Sequence, residues 1–259
     1  MGRATSIFLA NNNFLVYAGT RDVQKLQDLK HKNIIALKLD ITNSENINSA
    51  VGTIISKHKN IDILINNAGY GLVSTVEDVT EAEMLSQFNI NVFGVLRVTK
   101  AIIPVMRKNR SGIIINVSSF LGKIGLPLLT LYNSSKYAVE GITDSLRYEL
   151  KDFNIRVHSV MPGFFDTNFA KDNLVTNLKT FDKQSPYSTL VSNLAPVIVE
   201  QINNGNNASE VGKVILDIIQ NDTFPARTTI GDKAKKFIPM RKELSDEDFE
   251  RRVREHYNL

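Results

Sequence analysis

Short apolar runs of four to eight residues alternate with stretches of helical periodicity along this 259-residue chain, and that alternation leaves few folds open. Each run is too short to be a stable helix of its own and is bounded by turn residues, so it reads as a strand buried on both faces. Strands of that kind belong to parallel sheets, in which a helical crossover separates one strand from the next. Residues 14–18, 34–40, 61–66, 113–118, 155–161 and 228–230 are the predicted strands, and 23–30, 44–59, 81–108, 132–153 and 208–220 the predicted helices. The expected fold is α/β, a doubly wound parallel sheet with helices on both faces.

The length suits one domain, 1–259, and no repeat or linker divides it. Residues 168–206 are the least regular part, polar and rich in asparagine, and read as a lid over a binding site. From about 233 to 259 the chain is a highly charged tail. Within it Ser245-Asp246-Glu247-Asp248 resembles a helix start, with Arg251, Arg252 and Arg254 further along. The absence of cysteine removes disulfide and thiolate chemistry and agrees with a cytoplasmic location. Four scattered histidines offer little for a zinc site, so no metal is expected. The net charge of +4 is spread along the chain, which speaks against nucleic acid as a partner. No apolar run approaches the length of a membrane span, and residues 6–10 are too short an apolar stretch for a secretory signal.

The chemistry concentrates around one predicted strand and the helix after it. The run 113–117 delivers Ser118-Ser119 at its carboxyl end, and a helical pattern follows with Tyr132 and Lys136 four residues apart. Positions i and i+4 share a helix face, so phenol and ammonium can point into one site. An isolated Tyr-x-x-x-Lys pair is more simply an amphipathic helix start with a snorkelling lysine. Here Asn66-Asn67-Ala68-Gly69 ends the preceding strand, Asn91 sits in the intervening helix, and Pro162-Gly163 ends the next strand. Ligands collect at the carboxyl ends of strands in open parallel sheets, which makes a proton-transfer site the stronger reading.

Asn66-Asn67-Ala68-Gly69, Asn91 in Asn-Val-Phe-Gly, Ser118-Ser119, Tyr132-Asn-Ser-Ser-Lys136 and Pro162-Gly163 with Thr167 together resemble the short-chain dehydrogenase/reductase family, in its roughly 250-residue branch. The resemblance implies a Rossmann-like fold and hydride transfer to or from a nicotinamide. It implies that Tyr132 exchanges a proton with the alcohol or carbonyl oxygen, that Ser119 orients that oxygen, and that Lys136 also holds the nicotinamide ribose. Asn91 would anchor a water path to Lys136; a capped or bent helix is its plainer explanation. A free phenol titrates near about 10, and the expectation is that the lysine ammonium lowers that value toward neutrality.

The family's opening strand and Thr-Gly-x-x-x-Gly-x-Gly loop have only a partial counterpart. Gly2 aligns with the last glycine and residues 4–10 with the helix behind it, while the first strand and first two glycines are absent. That strand would lie between residues 14–18 and 61–66. The expectation is therefore a start internal to a longer reading frame, or a truncated product whose diphosphate cradle is incomplete. Beyond the run 14–18 stand Gly19-Thr20-Arg21-Asp22. Arginine there suits a ribose 2′-phosphate, so Thr20 and Arg21 favour NADP over NAD, with Asp22 better placed as a helix cap. By resemblance Asp40 faces the adenine, and Asn67, Ala68 and Gly69 the adenosine ribose, with Pro162, Gly163 and Thr167 completing the cofactor contacts.

Tyr70, Leu126, Leu128, Leu129, Phe164, Phe165 and Phe169 lie near these motifs and suggest a lipophilic alcohol or ketone, with Ser119, Tyr70 and Phe164 the expected substrate contacts. The layout is similar to the hydroxysteroid- and retinol-dehydrogenase-like subgroup. Two long helices, 81–108 and 132–153, are expected to pair across a two-fold axis in a homodimer or homotetramer. The rival readings are a catalytically silent chain that works through protein contacts and, less well matched, an isomerase or dehydratase using the same tyrosine.

Overall fold

A computed structural model of the chain describes residues 1–167 and 169–259. In chain order its strands are β1 (Val16–Thr20), β2 (Ile34–Lys38), β3 (Ile63–Asn66), β4 (Gly71–Val73), β5 (Gly112–Val117), β6 (Ile155–Pro162), β7 (Phe165–Asp166), β8 (Leu174–Thr176), β9 (Asn206–Asn207) and β10 (Arg227–Ile230). The α-helices are α1 (Gly2–Asn11), α2 (Ser44–His58), α3 (Glu81–Phe88), α4 (Gly94–Asn109), α5 (Thr130–Leu150), α6 (Phe169–Asp172), α7 (Ser188–Asn203), α8 (Ser209–Gln220), α9 (Asp232–Glu243) and α10 (Asp246–Tyr257).

The architecture is the Rossmann-like α/β fold anticipated from the strand–helix alternation. Four strands pair in the order β10-β6-β5-β3, and β1 pairs with β2, all in parallel. Among the described residues no ladder joins β1 to β3, the two strands expected to lack a shared neighbour. On one face α2, α4 and α5 bury Ile47, Val98, Ile102, Met106, Leu146 and Leu150 against Ile114 and Val157. On the other, α1 and α8 bury Leu9, Val211, Ile215 and Ile218 against Ile115, Val160 and Ile230. Alternate residues of β5 thus feed opposite cores, the period-two rule applied to a strand with two dry faces. The helices α1 and α8 approach closely: a Cβ on Gly212 would stand 2.8 Å from the Cβ of Phe8. A third core joins the loop 120–129 to α7, α9 and α10 and underlies the carboxyl end of the sheet.

Several expectations change in detail. The helix expected at 23–30 is only a 3-10 turn, Val23–Leu26. Asp22 caps it by accepting from the Gln24 N–H, as its sequence position suggests, but residues 27–32 offer no apolar stripe to hold a longer helix. The helix expected at 81–108 is interrupted by a π turn, Asn89–Phe93, which swings Asn91 into the interior. The composite stretch Glu81–Asn109 is long and apolar enough to cross a membrane by length and composition. Its Val98, Ile102 and Met106 nonetheless face the sheet and neighbouring helices, as a core helix requires.

The weakly patterned segment 168–206, whose first residue lies outside the described residues, contains the sixteen-residue helix α7. Its Leu194, Ile198 and Ile202 form a buried seam that the intervening asparagine, serine and proline obscure in the sequence. The charged tail is likewise not a free tail. α9 and α10 bury Phe237, Phe249, Val253 and Tyr257, and Ser245 caps α10 by accepting from the Asp248 N–H at 3.1 Å.

Candidate active site

The carboxyl ends of β3 and β5 and the first two turns of α5 converge on one small volume. Tyr132 and Lys136 lie on the same side of α5, with Nζ of Lys136 5.7 Å from the centroid of the Tyr132 ring. Ser119 stands at the end of β5, near enough to the Tyr132 hydroxyl to lower its proton affinity, and caps the following turn by accepting from the Leu121 N–H at 3.1 Å. Lys136 is 6% exposed and donates to the Val117 carbonyl at 3.0 Å, 19 residues away in sequence. The structure therefore brings together Ser119, Tyr132 and Lys136 as their spacing predicts.

Asn91 is held between neighbours. Its Oδ1 accepts from the Tyr70 N–H at 3.1 Å, and its Nδ2 donates to the Tyr70 carbonyl at 2.9 Å and to Oγ of Ser135 at 3.0 Å. Asn91 thus ties the loop after β3 to α5, one residue before Lys136. A Cβ built on Gly69 would stand 3.2 Å from Oδ1 of Asn91 and 3.8 Å from Nζ of Lys136. Any larger residue at 69 would fill the gap between them.

The proton affinities differ from the electrostatic expectation. Burial pushes the Tyr132 phenol up to about 12, and the nearby Ser119 hydroxyl offsets only part of that rise. The lysine was expected to acidify the phenol, but it is itself pushed down to about 8 by burial, with the Glu140 carboxylate acting in the opposite sense. Low polarity at this end of the sheet disfavours the charged form of both groups and outweighs their mutual influence. The cover over Tyr132 explains that dryness. The Phe169 ring lies 6.2 Å from the Tyr132 ring. A Cβ on Gly71 would meet Leu174 at 3.2 Å, Phe169 at 3.5 Å and Tyr132 at 3.5 Å.

The cofactor-side candidates lie at the start of α1 and at or just beyond the carboxyl ends of β1, β2, β3 and β6, and several are already engaged in local contacts. The α1 start meets β3, where a Cβ on Gly2 would stand 2.5 Å from Nδ2 of Asn67. Ala68 is exposed, as is Arg21. Thr20 is engaged locally, its Oγ1 donating to the Asp22 carbonyl at 3.1 Å and accepting from the Asp22 N–H at 3.2 Å. Asp40 accepts from the N–H and hydroxyl of Thr42 at 2.9 and 2.6 Å. Those bonds hold its carboxyl below the usual range, and the charge of Arg21 adds to the effect, placing the arginine at the same corner. Gly163 donates to the Ile230 carbonyl at 2.8 Å, and a Cβ there would stand 3.0 Å from the backbone of Ala234. Pro162 ends β6 beside Ile230, and Oγ1 of Thr167 accepts from the Phe169 N–H at 3.3 Å.

On the substrate side Phe164 packs edge-on to Phe120 with centroids 5.3 Å apart. Leu126, Leu128 and Leu129 are each 3% exposed and belong to the core under the site, while Phe165 faces the opposite core. These four are packing residues rather than pocket wall. Sequence reasoning missed Leu174, which β8 presents to Gly71. It also missed Gln87, which accepts from the Leu72 N–H and donates to the Tyr70 carbonyl, both at 2.8 Å. A third omission is the buried ladder in which Asn66 donates to Thr99 and Asn116, and Asn116 to Thr143. Only Asn66 of that ladder carries a motif signal.

Comparison with known proteins agrees with this geometry. The family model described as short chain dehydrogenase matches residues 1–177. A 3-ketodihydrosphingosine reductase of Bacteroides thetaiotaomicron is 35% identical over 245 residues, 92% of this chain and 89% of that protein. A short-chain dehydrogenase from Streptomyces avermitilis superposes with a TM-score of 0.83 at 27% identity, covering 99% of this chain and 92% of its own. A short-chain dehydrogenase from Burkholderia cenocepacia, solved in complex with NADP, superposes with a TM-score of 0.69 at 26% identity, over 92% and 85% of the two chains.

Proposed function

This chain belongs to the short chain dehydrogenase family of oxidoreductases, and from that premise we propose that it is an NADP(H)-dependent reductase of lipophilic ketones or aldehydes with Tyr132 as the proton donor. The observation that carries this reading is the convergence of Ser119, Tyr132 and Lys136 at the dry end of β5. When bound, the nicotinamide supplies or accepts the hydride. The remaining steps fall to the chain's own residues. Ser119 hydrogen-bonds the substrate oxygen and holds it beside the phenol. Tyr132, protonated throughout the neutral range because burial raises its affinity, delivers its proton to that oxygen as negative charge develops there. A group in that state suits an acid in carbonyl reduction better than a base in alcohol oxidation.

The residues present fit the dinucleotide at both ends. Gly69 leaves open the space between Asn91 and Lys136 where a nicotinamide ribose would hydrogen-bond the ammonium. Arg21, exposed at the carboxyl end of β1, suits a ribose 2′-phosphate, in keeping with the NADP bound to the Burkholderia relative. Asn67, Ala68 and Asp40 line the adenosine side, and Gly2, Pro162, Gly163 and Thr167 border the middle. Asn91 both clamps Tyr70 and anchors a water path to Lys136.

The substrate is lipophilic because Phe169 and Leu174 lie against Tyr132 around Gly71, with Tyr70 and Phe164 as its further expected contacts. The Bacteroides relative, named a 3-ketodihydrosphingosine reductase, supports that class, and a hydroxysteroid- or retinol-dehydrogenase-like preference is a variant of the same reading. The chain acts as one domain, with 168–206 as the cover of the site. It assembles as a homodimer or homotetramer through exposed Leu85, Phe93, Leu96, Tyr137 and Tyr148 on α3–α5. The test is carbonyl-dependent loss of NADPH absorbance with long-chain ketones. Tyr132→Phe should cut turnover by about 10²–10⁴-fold while dinucleotide binding persists; unchanged turnover would sink the assignment.

A further inference from the structure

Helix α5 carries a third residue on the stripe of Tyr132 and Lys136. Glu140 lies one turn further on and is 2% exposed, a depth at which a carboxylate is costly unless paired. Its partners come from three other segments. Nε of Arg227 on β10 stands 2.7 Å from Oε2, Nζ of Lys123 in the loop after Ser119 stands 3.7 Å from the same oxygen, and Ser159 of β6 donates its hydroxyl to Oε1. Arg227 also pairs with Asp144 at 2.5 Å, so two carboxylates and two cations form a charge-balanced group. The loop lies directly on the helix here. A Cβ on Gly122 would stand 3.0 Å from the Lys136 carbonyl and 3.1 Å from Cγ of Glu140.

Lys136 needs such a group behind it. Its ammonium is buried, and the partner it reaches at the end of β5 is a neutral carbonyl. Resting on the reading that Lys136 serves the redox site, we infer that Glu140 is a positioning residue for this lysine, a buried carboxylate held by Arg227, Lys123 and Ser159 whose negative field keeps Lys136 charged beside Tyr132. Among the described residues, Lys136 is faced by the Tyr132 phenol and Glu140 from its own helix, the Val117 carbonyl from β5, and Gly69 and Asn91 across the gap after β3. Lys123 and Arg227, with Asp144 beside the latter, act on it through Glu140. Direct electrostatic support comes from the Glu140 charge, which opposes the burial that discharges the lysine.

The charge balance makes opposite predictions for the two sides of the group. Glu140→Gln leaves a net positive charge behind Lys136 and should lower its titration midpoint by about half a unit to one unit. Arg227→Gln leaves a net negative charge and should raise it by a similar amount, while the double variant should return toward the parent. Lys123→Gln, at a side chain 35% exposed, should also raise it and serves if the buried variants do not fold. The readout is NMR titration of Cε in lysine-labelled full-length protein, with the Lys136 signal assigned through Lys136→Arg. Midpoints that do not move, that move the same way in the glutamate and cation variants, or that add rather than cancel in the double variant overturn the inference. NADPH turnover is measured in parallel. Its absence in a parent whose Lys136 midpoint responds as stated would refute the redox reading alone.

Discussion

Replacing Lys136 with methionine should stabilise the folded chain near neutral pH, the reverse of what removing a buried hydrogen bond usually does. The lysine is 6% exposed and its ammonium is pushed from 10.5 down to about 8. A lowered value in the folded state means that the unfolded chain binds the proton more tightly. Folding therefore bears a penalty wherever the group is charged in both states, and the penalty is relieved as pH rises from about 8 to the unfolded value of 10.5. At about 1.4 kcal/mol per unit, the full penalty below pH 8 is roughly 3 kcal/mol. Against it stands the bond from Nζ to the Val117 carbonyl at 3.0 Å, worth about 1 kcal/mol net. Methionine keeps the apolar stem and loses both contributions, so Lys136→Met should gain roughly 2 kcal/mol at about pH 7 and lose that advantage by about pH 10. Urea unfolding of parent and variant at the two pH values measures this, since stability of the parent should rise across the interval relative to the variant. Parallel pH dependences in the two proteins would refute the claim that this ammonium is strained by burial.

Two further outcomes follow from the same geometry. Arg21→Ala should weaken NADPH about ten- to a hundredfold while leaving NADH nearly unchanged, because one charge-assisted contact to a 2′-phosphate is worth about 1.5–3 kcal/mol; equal losses for both dinucleotides, measured by fluorescence titration, would place Arg21 elsewhere. Gly122→Ala should cost about 1–3 kcal/mol and reduce turnover, since the new methyl would stand 2.9 Å from Oγ of Ser118 and 3.0 Å from the Lys136 carbonyl; unfolding at the parental denaturant midpoint would show that the loop gives way freely.

The parts of the molecule legible in sequence are those where a single local rule decides the outcome. Six apolar runs became the six strands of the main ladders, shifted by at most about two residues at their ends. The i, i+4 spacing of Tyr132 and Lys136 sufficed to place both on one face because a helix permits little else. The proton affinities were not legible, because they depend on Phe169 and Leu174 covering the phenol from a segment some forty residues further along the chain. Charge proximity can be read from spacing, whereas desolvation requires the tertiary cover. The Glu140–Arg227 pair was hidden for the same reason: 87 residues separate its members, and neither belongs to a motif. The π turn at Asn89–Phe93 left no mark in the apolar periodicity, yet it is what directs Asn91 inward.

The polar character of the covering segment has a structural cause that bears on the chemistry beneath it. Asn177 donates to both carboxylate oxygens of Glu83 and accepts from the Thr180 N–H at 3.0 Å. Thr180 donates to Asp78 at 2.9 Å, and Lys179 pairs with the same carboxylate at 3.1 Å. Backbone bonds from Gly71 to the Asn173 carbonyl and from Asn177 to the Val73 carbonyl complete the attachment to the stretch 71–83. Directional bonds of this kind fix the register of β8 on β4 where a short apolar strand would be free to slip. The cover can then present Phe169 and Leu174 at a defined place over the Tyr132 ring. A loosely held segment would admit water there, and the phenol would return toward its ordinary affinity. The asparagines and threonines of 173–180 are therefore part of how this site holds a proton on Tyr132, although none of them touches it.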